Sequence, residues 1–327
     1  MTDAPATSSI AVVTINWNGW RHTLDCLHAL RASEGASWHL YLVDNASTDD
    51  SREHLRGLGP DVTLIEAATN GGWTGGNNLG LREALTAGHE HIFILNNDAF
   101  VEPDTLARLL AVCAAFSAEA RRPILGPIHR GSSTRDYDFH AAARDPKTGI
   151  PAWIPAGELG SRLDRPLIET AYISGAAIFA HRHHFETIGL LDDRFYLNFD
   201  DTDWCRRAEK AGFPLLMVRD AAIRHIGSAS IGGRYSPLQT YFLTRNRLLF
   251  ADKHCSPIER LRLFRRCLWQ ARELAGKGSG WWPSRLMRIE DGPPAAFRRG
   301  LRDYLLRRFG DCPPEIRQWN AKTATAP

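Results

Sequence analysis

Apolar and polar positions alternate along this chain in blocks. Ile10 to Ile15, Leu40 to Val43, Val62 to Ile65 and Ile92 to Leu95 are short runs rich in β-branched and aliphatic residues. They have the length and composition of buried strands. Between them lie segments with helical spacing. Arg21 to Arg31 puts Leu24, Leu27 and Leu30 on one side, and Ser47 to Leu58 reads as a helix that Ser47 or Thr48 could cap. A helix from Leu79 to Ala87 follows the loop Asn70 to Asn78, and one to about Ala118 has Pro103 in its first turn. Strands alternating with helices through the first 110 or so residues predict an α/β fold with a mostly parallel sheet built of βαβ units.

The pattern then changes. Residues 120–170 are rich in Pro, Gly, Arg and Asp, with Tyr137, Phe139 and Trp153 interspersed, and read as irregular with one or two short strands. Tyr172 to Ala180 is a further strand, His183 to Ile188 a short helix, and Asp203 to Ala211 a helix ended by Gly212. Leu215 to Val218 is the last strand. From Pro257 onward apolar and Arg residues interleave at helical spacing, with breaks at Gly276 to Pro283 and at Pro293 and Pro294.

A chain of 327 residues, 43% hydrophobic and 24% charged, buries a full core as one large domain or a domain with an appendage. The net charge of +3 is unevenly spread: residues 251–327 hold 16 Lys+Arg against 8 Asp+Glu. This suggests a catalytic body over residues 1–250 and a basic, amphipathic helical region over 251–327. No run approaches the roughly 20 apolar residues that span a bilayer, and the start lacks a signal-peptide pattern. Six scattered cysteines without a CxxC pair read as reduced thiols of a cytoplasmic protein.

Chemistry-bearing residues stand where apolar segments end. Asp44 and Asn45 close a strand, where Asp44 either caps the next helix or accepts the imide N–H of a pyrimidine base. The glycines of NGGWTGGNN, at a helix start, would let backbone amides approach a phosphate, or simply make a tight connection. No GxxxxGK[ST] phosphate loop is present. After Leu95 come Asn96, Asn97 and Asp98, and Asp98 could hold a hard cation such as Mg²⁺ or Mn²⁺, which binds through one or two carboxylates plus phosphates. Asp200, Asp201 and Asp203 lie beside Phe195, Tyr196, Phe199 and Trp204. Carboxylates against aromatic surface are costly unless paired or used, so with Asp203 as helix cap, Asp200 or Asp201 is free to act as a general base. His225 follows the last strand, with Ser228, Ser230, Gly232 and Gly233 beyond it, and gains interest because a cation at Asp98 needs further ligands.

The ordered elements AVVTINWNGW, YLVDNASTDDS, NGGWTGGNNLG, ILNNDAF, the long SGAAIF…EKAGF stretch and IRHIGSAS resemble the family 2 glycosyltransferases, over Ile10 to about Phe250. The wording is most similar to the rhamnosyltransferase branch. The resemblance implies the GT-A nucleotide-sugar fold and inverting transfer from dTDP-rhamnose, or else a UDP-sugar, to a glycan or lipid-linked glycan in cell-surface polysaccharide biosynthesis. It implies that Thr14, Asn16 and Asp44, beside Asn45, cradle the nucleobase. It places Asn70, Gly72 and Asn77 along the pyrophosphate, with Asn97 also in the nucleotide-sugar site. Asp98 and His225 would hold the cation and Asp201 would be the base, paired with Asp200. Arg245 and Asn246 recur in this branch without an assigned role. Two positions depart from the family: Asn96 replaces the first Asp of Asp-x-Asp, and Asp200 replaces a Glu.

The basic C-terminal helices fit two arrangements: interfacial helices on the inner face of an anionic membrane, or helices packed on the catalytic body with their arginines in water. Rival readings are a sugar-nucleotide pyrophosphorylase, lacking its basic Gly-rich signature here; a non-catalytic glycan-binding module, which needs no Asp98, Asp201 and His225 set; and a nucleic-acid binder, for which no motif is present.

Overall fold

The computed structural model describes residues 9–116, 122–131, 141–227, 236–276 and 281–324. Tyr137, Phe139, Ser228, Ser230, Gly232 and Gly233 lie outside the described residues. The chain forms two compact units. One comprises Met1–Ala143, Pro151–Asp192 and Asp200–Gly227; the other comprises Arg144–Ile150, Asp193–Phe199 and Ser228–Pro327.

The first unit is built on strands β1 (Ile10–Asn16), β2 (Trp38–Asp44), β3 (Val62–Glu66), β4 (His91–Leu95), β5 (Ala99–Val101), β6 (Ile124–Arg130), β7 (Ala142–Arg144), β8 (Pro151–Trp153), β9 (Leu167–Glu169), β10 (Ala177–His181) and β11 (Leu215–His225). Its helices are α1 (Trp20–Arg31), α2 (Ser51–His54), α3 (Gly72–Thr86), α4 (Thr105–Ala114), α5 (Ala156–Leu159), α6 (Arg182–Ile188) and α7 (Asp200–Lys210). The main sheet runs β3-β2-β1-β4-β10-β6-β11-β5, with β9 also on β11, while β7 and β8 pair separately. Strands β3, β2, β1 and β4 are mutually parallel. Successive β1 residues serve opposite faces: Ala11 and Val13 join Leu81 and Ala84 of α3, while Ile10 and Val12 join Leu27 and Leu30 of α1. Burial on both faces explains why these strands read as continuous apolar runs.

Four local expectations are corrected. The glycine-rich segment is not a loop ahead of the helix, because α3 starts at Gly72. Its glycines serve close packing: a Cβ at Gly80 would sit 2.6 Å from Val13 Cγ1, and one at Gly76 would sit 3.0 Å from Ile15 Cγ2. The helix after β2 shrinks to Ser51–His54, since Ser47 Oγ instead accepts from Asn16 Nδ2 and from the Asn18 backbone. Asp203 is not a cap, for α7 begins three residues earlier at Asp200 and Asp203 pairs with Arg207 at 2.9 Å. The stretch after residue 120 is more regular than expected, because Ile124–Arg130 is an interior strand pairing with both β10 and β11.

Strand β11 outruns its expected end at Val218. Its register against β6 shifts between Val218 and Ala222, after which Ile223, Arg224 and His225 pair antiparallel with Val101, Phe100 and Ala99 of β5. This bulge carries the chain to the turn that holds Asp98.

The second unit contains α8 (Pro237–His254), α9 (Pro257–Leu274), α10 (Trp282–Arg288), α11 (Gly292–Leu305) and α12 (Pro314–Ala324). Residue 250, the expected boundary of the catalytic body, falls within α8. Ser236 caps α8, and Ser256 with Glu259 forms a capping box on α9. Helix α8 is buried over most of its surface, including Arg245 and Asn246. The Arg245 guanidinium stacks over Tyr241 and Phe242 and donates to Tyr241 Oη and to the Phe195 carbonyl. Tyr241 in turn donates to Asp303 at 2.8 Å.

Asn246 has a distinct task. In the segment it faces, Tyr196, Asn198 and Phe199 all adopt positive φ, near 64°, 66° and 69°, a costly conformation for residues with a Cβ. Asn246 Nδ2 donates to the carbonyls of Phe195, Leu197 and Asn198 at 2.8, 2.8 and 2.9 Å. One amide therefore holds the segment that runs directly into Asp200. Asn246→Ala leaves these carbonyls without that donor, so the chain should lose on the order of 3 kcal/mol of stability. Urea unfolding followed by circular dichroism checks this, against Asn246→Asp as a second variant.

Candidate active site

The site lies in the first unit, at the carboxyl ends of β1, β2 and β4, where open α/β sheets bind ligands. Asn16 and Asp44 are register partners at the ends of β1 and β2. Asn16 Nδ2 donates to Asp44 Oδ1 at 3.1 Å, and Thr23 Oγ1 donates to Asn16 Oδ1 at 2.9 Å. Thr23 Oγ1 also accepts from Asn97 Nδ2 at 3.0 Å, so Asn97 belongs to the same network. Burial pushes the Asp44 carboxyl up, but hydrogen bonds from Ser47, Arg52 and Asn16 outweigh it and hold the group below the usual carboxylate range. Its side chain has no exposed surface, and Asn16 and Thr14 are equally buried. Here Asp44 fastens the two turns together.

Asn45 fastens the glycine-rich segment. Its Nδ2 donates to Asn70 Oδ1 at 3.1 Å and to the Gly72 carbonyl at 2.9 Å, and its Oδ1 accepts from Gly71 N at 3.0 Å. Gly72 has φ +70, a conformation glycine adopts without penalty, and its N–H donates to Asn70 Oδ1. Asn77 is buried on α3 and donates to the Trp73 carbonyl; Asn70 and Asn97 keep partial exposure.

Two groups of charged residues are brought to this edge. Asp98 lies in the β4–β5 turn, and His225 Nε2 donates to its Oδ1 at 3.1 Å. Both side chains are mostly covered, at 16% and 22% exposure. Burial raises the Asp98 carboxyl, but the hydrogen bond and charge of His225 dominate and hold it low. Among the described residues no cluster of three His, Cys, Asp or Glu is present. One hard oxygen and one imidazole nitrogen, partly open, fit a divalent cation that takes its other ligands from phosphate and water. Asn96 does not join them, because its Oδ1 accepts from Trp73 Nε1 at 2.8 Å.

The second group is the acidic pair. Asp201 Oδ2 accepts from Tyr172 Oη at 2.7 Å and from Gly175 N at 2.8 Å, while Oδ1 accepts from Thr202 N at 2.6 Å. Asp200 is 4% exposed and accepts from Thr74 Oγ1 at 3.1 Å. Burial, then the charge of Asp201, raises the Asp200 carboxyl well above the usual range. The two neighbours are thus set apart: a buried acid favouring its neutral form, and a half-exposed carboxylate with fixed donors. A buried carboxyl raised by desolvation and a neighbouring charge marks a candidate site of acid–base work.

The groups are linked by a short path. Ala176 O accepts from Asn96 N at 3.0 Å, next to the Gly175 N–H that binds Asp201. A Cβ at Gly175 would lie 2.8 Å from Trp73 Cζ2 and 3.0 Å from Asp201 Oδ2. Trp73, Thr74, Tyr172 and Gly175 escaped the sequence reading as individual residues. Trp73, Thr74 and Gly175 lie inside quoted motifs, the only signal available; Tyr172 gave none beyond its strand-like surroundings.

Comparison with known proteins agrees with this picture. Residues 9–144 match the sequence model of glycosyl transferase family 2. The chain is 22% identical over 258 residues to a dTDP-rhamnosyl transferase, RfbF, of Shigella flexneri, covering 77% of this chain and 82% of that protein. It is 25% identical over 273 residues to an N-acetylglucosaminyl-diphospho-decaprenol L-rhamnosyltransferase of Mycobacterium tuberculosis, covering 76% and 86%. Its fold matches the mannosyltransferase PcManGT of Pyrobaculum calidifontis, solved with GDP-Man and Mn²⁺, at a TM-score of 0.55 and 16% identity over 98% of this chain and 86% of that one. Residues 9–144 thus match the glycosyl transferase family 2 model, and the fold is the GT-A fold of the solved neighbour.

Proposed function

We propose that this protein is a family 2 glycosyltransferase that moves a sugar, with inversion, from a nucleoside diphosphate sugar to a hydroxyl of a glycan or lipid-linked glycan during polysaccharide biosynthesis. The observation that carries this reading is the contrast between Asp200 and Asp201 on the sheet edge that also holds Asp98 and His225. The names of the two rhamnosyl-transferring relatives favour dTDP-rhamnose as donor, with a UDP-sugar next. The six cysteines are all free thiols, which fits a reducing cytoplasmic setting.

In the transfer, Asp201 takes the proton of the acceptor hydroxyl as its oxygen bonds to the anomeric carbon and the bond to the diphosphate oxygen breaks. Tyr172, Gly175 and Thr202 keep the carboxylate aimed. Asp98 and His225 would hold Mg²⁺ or Mn²⁺, which supplies positive charge to the departing diphosphate. Thr14, Asn16, Asp44 and Asn45 shape the nucleobase end by fixing the turns after β1 and β2. Asn70, Gly72 and Asn77 order the start of α3 beside the pyrophosphate, and Asn97 joins the Asn16 network through Thr23. A glycan-binding module would need neither the acidic pair nor the Asp98–His225 pair.

Incubation with dTDP-rhamnose and a set of UDP-sugars, with and without Mn²⁺, tests the reading. Slow, cation-dependent release of dTDP is expected. Release of UDP alone would reassign the donor, and inertness toward every donor would refute the proposed function.

A further inference from the structure

Helix α9 presents two apolar faces. Leu263, Cys267 and Ala271 are buried against Leu248 and Phe297 within the second unit. Ile258, Leu261, Phe264, Leu268 and Trp269 point the other way, at 58, 57, 45, 39 and 62% exposure. At 3.6 residues per turn these five fall on one side of the helix, so five large hydrophobic residues share one uncovered face. A soluble surface rarely keeps such a patch without use.

The charges around the patch decide its occupant. Arg262, Arg265, Arg266 and Arg272 are exposed on the same side or its edges. The acidic residues of the helix are Glu259, engaged in the capping box with Ser256, and Glu273 near the far end. Against a second copy of itself this face would set arginine against arginine, an unfavourable isologous contact. Against a surface of phosphate headgroups the arginines are attracted while the apolar side chains enter the acyl boundary. Trp281, just before α10, is a further exposed aromatic residue of the second unit, at 73%. Among the described residues no helix is long and apolar enough to cross a membrane, so contact would be from one side.

We propose that the outward face of α9 docks the protein on an anionic phospholipid surface, with Phe264, Leu268 and Trp269 inserted and Arg262, Arg265, Arg266 and Arg272 on the headgroups. This goes beyond the donor reading and does not depend on it. The test is co-sedimentation of the full chain with vesicles of equal parts phosphatidylglycerol and phosphatidylcholine, beside vesicles of phosphatidylcholine alone. The wild type should pellet with the mixed vesicles and bind the neutral ones at least about tenfold less. The double variant Phe264→Glu, Trp269→Glu should lose binding to both, while its circular dichroism and release of nucleoside diphosphate stay unchanged. Charge reversal by Arg265→Glu, Arg272→Glu should abolish the preference for the anionic vesicles. Equal binding by wild type and the apolar variant, indifference to lipid charge, or loss of a wild-type dimer in the apolar variant without any vesicle binding would each overturn the proposal.

Discussion

Replacing Asp201 by asparagine should leave the donor bound and lower transfer by about 10²–10⁴-fold, the usual contribution of a positioned general base. The side chain keeps its size, and its oxygen still accepts from Tyr172 Oη and Gly175 N, which lie 2.7 and 2.8 Å away. What disappears is the capacity to take a proton, together with the acceptor that Oδ1 offers to Thr202 N. Calorimetric titration with the nucleotide sugar should therefore give a near-normal Kd, while kcat collapses. Asp200→Asn provides the internal contrast. Burial and the neighbouring charge already favour its neutral form, so an amide imitates the state it occupies at neutral pH and should cost far less. If Asp201→Asn turned over normally while Asp200→Asn did not, the two roles would have to be exchanged.

The next largest effect is expected at Asp98. Asp98→Asn should reduce transfer by about 10²–10³-fold, since it weakens the charge that stabilises the departing diphosphate. It should also raise the Mn²⁺ concentration for half-maximal activity. The amide oxygen still accepts from His225, so folding should be little altered and the loss should be partly recovered by excess cation. The converse change is informative. Asn96 Oδ1 accepts from Trp73 Nε1, and a carboxylate there would keep that bond while adding a second anionic oxygen. Asn96→Asp should accordingly lower the half-saturating cation concentration. An unaltered cation response in Asp98→Asn would remove the metal assignment and leave the acid–base assignment standing.

Much of the site was legible because its residues stand where apolar runs stop. The ends of β1, β2 and β4 mark Asn16, Asp44 and the Asn96–Asp98 turn, and the sheet brings the first two into register. The partnership of Asp98 with His225 was suggested by a cation's need for further ligands and by family resemblance, since the two are far apart in the chain and joined by strand pairing. The start of α3 was hidden because four glycines give a segment poor helix propensity, and tertiary packing on Val13 and Ile15 overrides it. Helix α8 was hidden for another reason: buried nearly all round, it lacks the polar stripe that makes a helix visible, and it contains a buried arginine and asparagine. The true length of β11 was masked by Arg219 and Asp220 at its bulge, which look like a strand end and are paired with each other on the surface.

That bulge has a consequence for how the protein can change. Side chains alternate sides along a strand, and His225 reaches Asp98 across a bulge in which residues 219–221 separate two stretches of β11 that both pair with β6, the second of which also meets β5. Adding a single residue among 219–221 would put Arg224 in the place of His225, and dropping one would put Ile226 there, so the imidazole would leave Asp98 either way. A change of two would restore the original facing. Length variation at this point is thus governed by odd and even number, so this small surface irregularity decides whether two distant side chains meet.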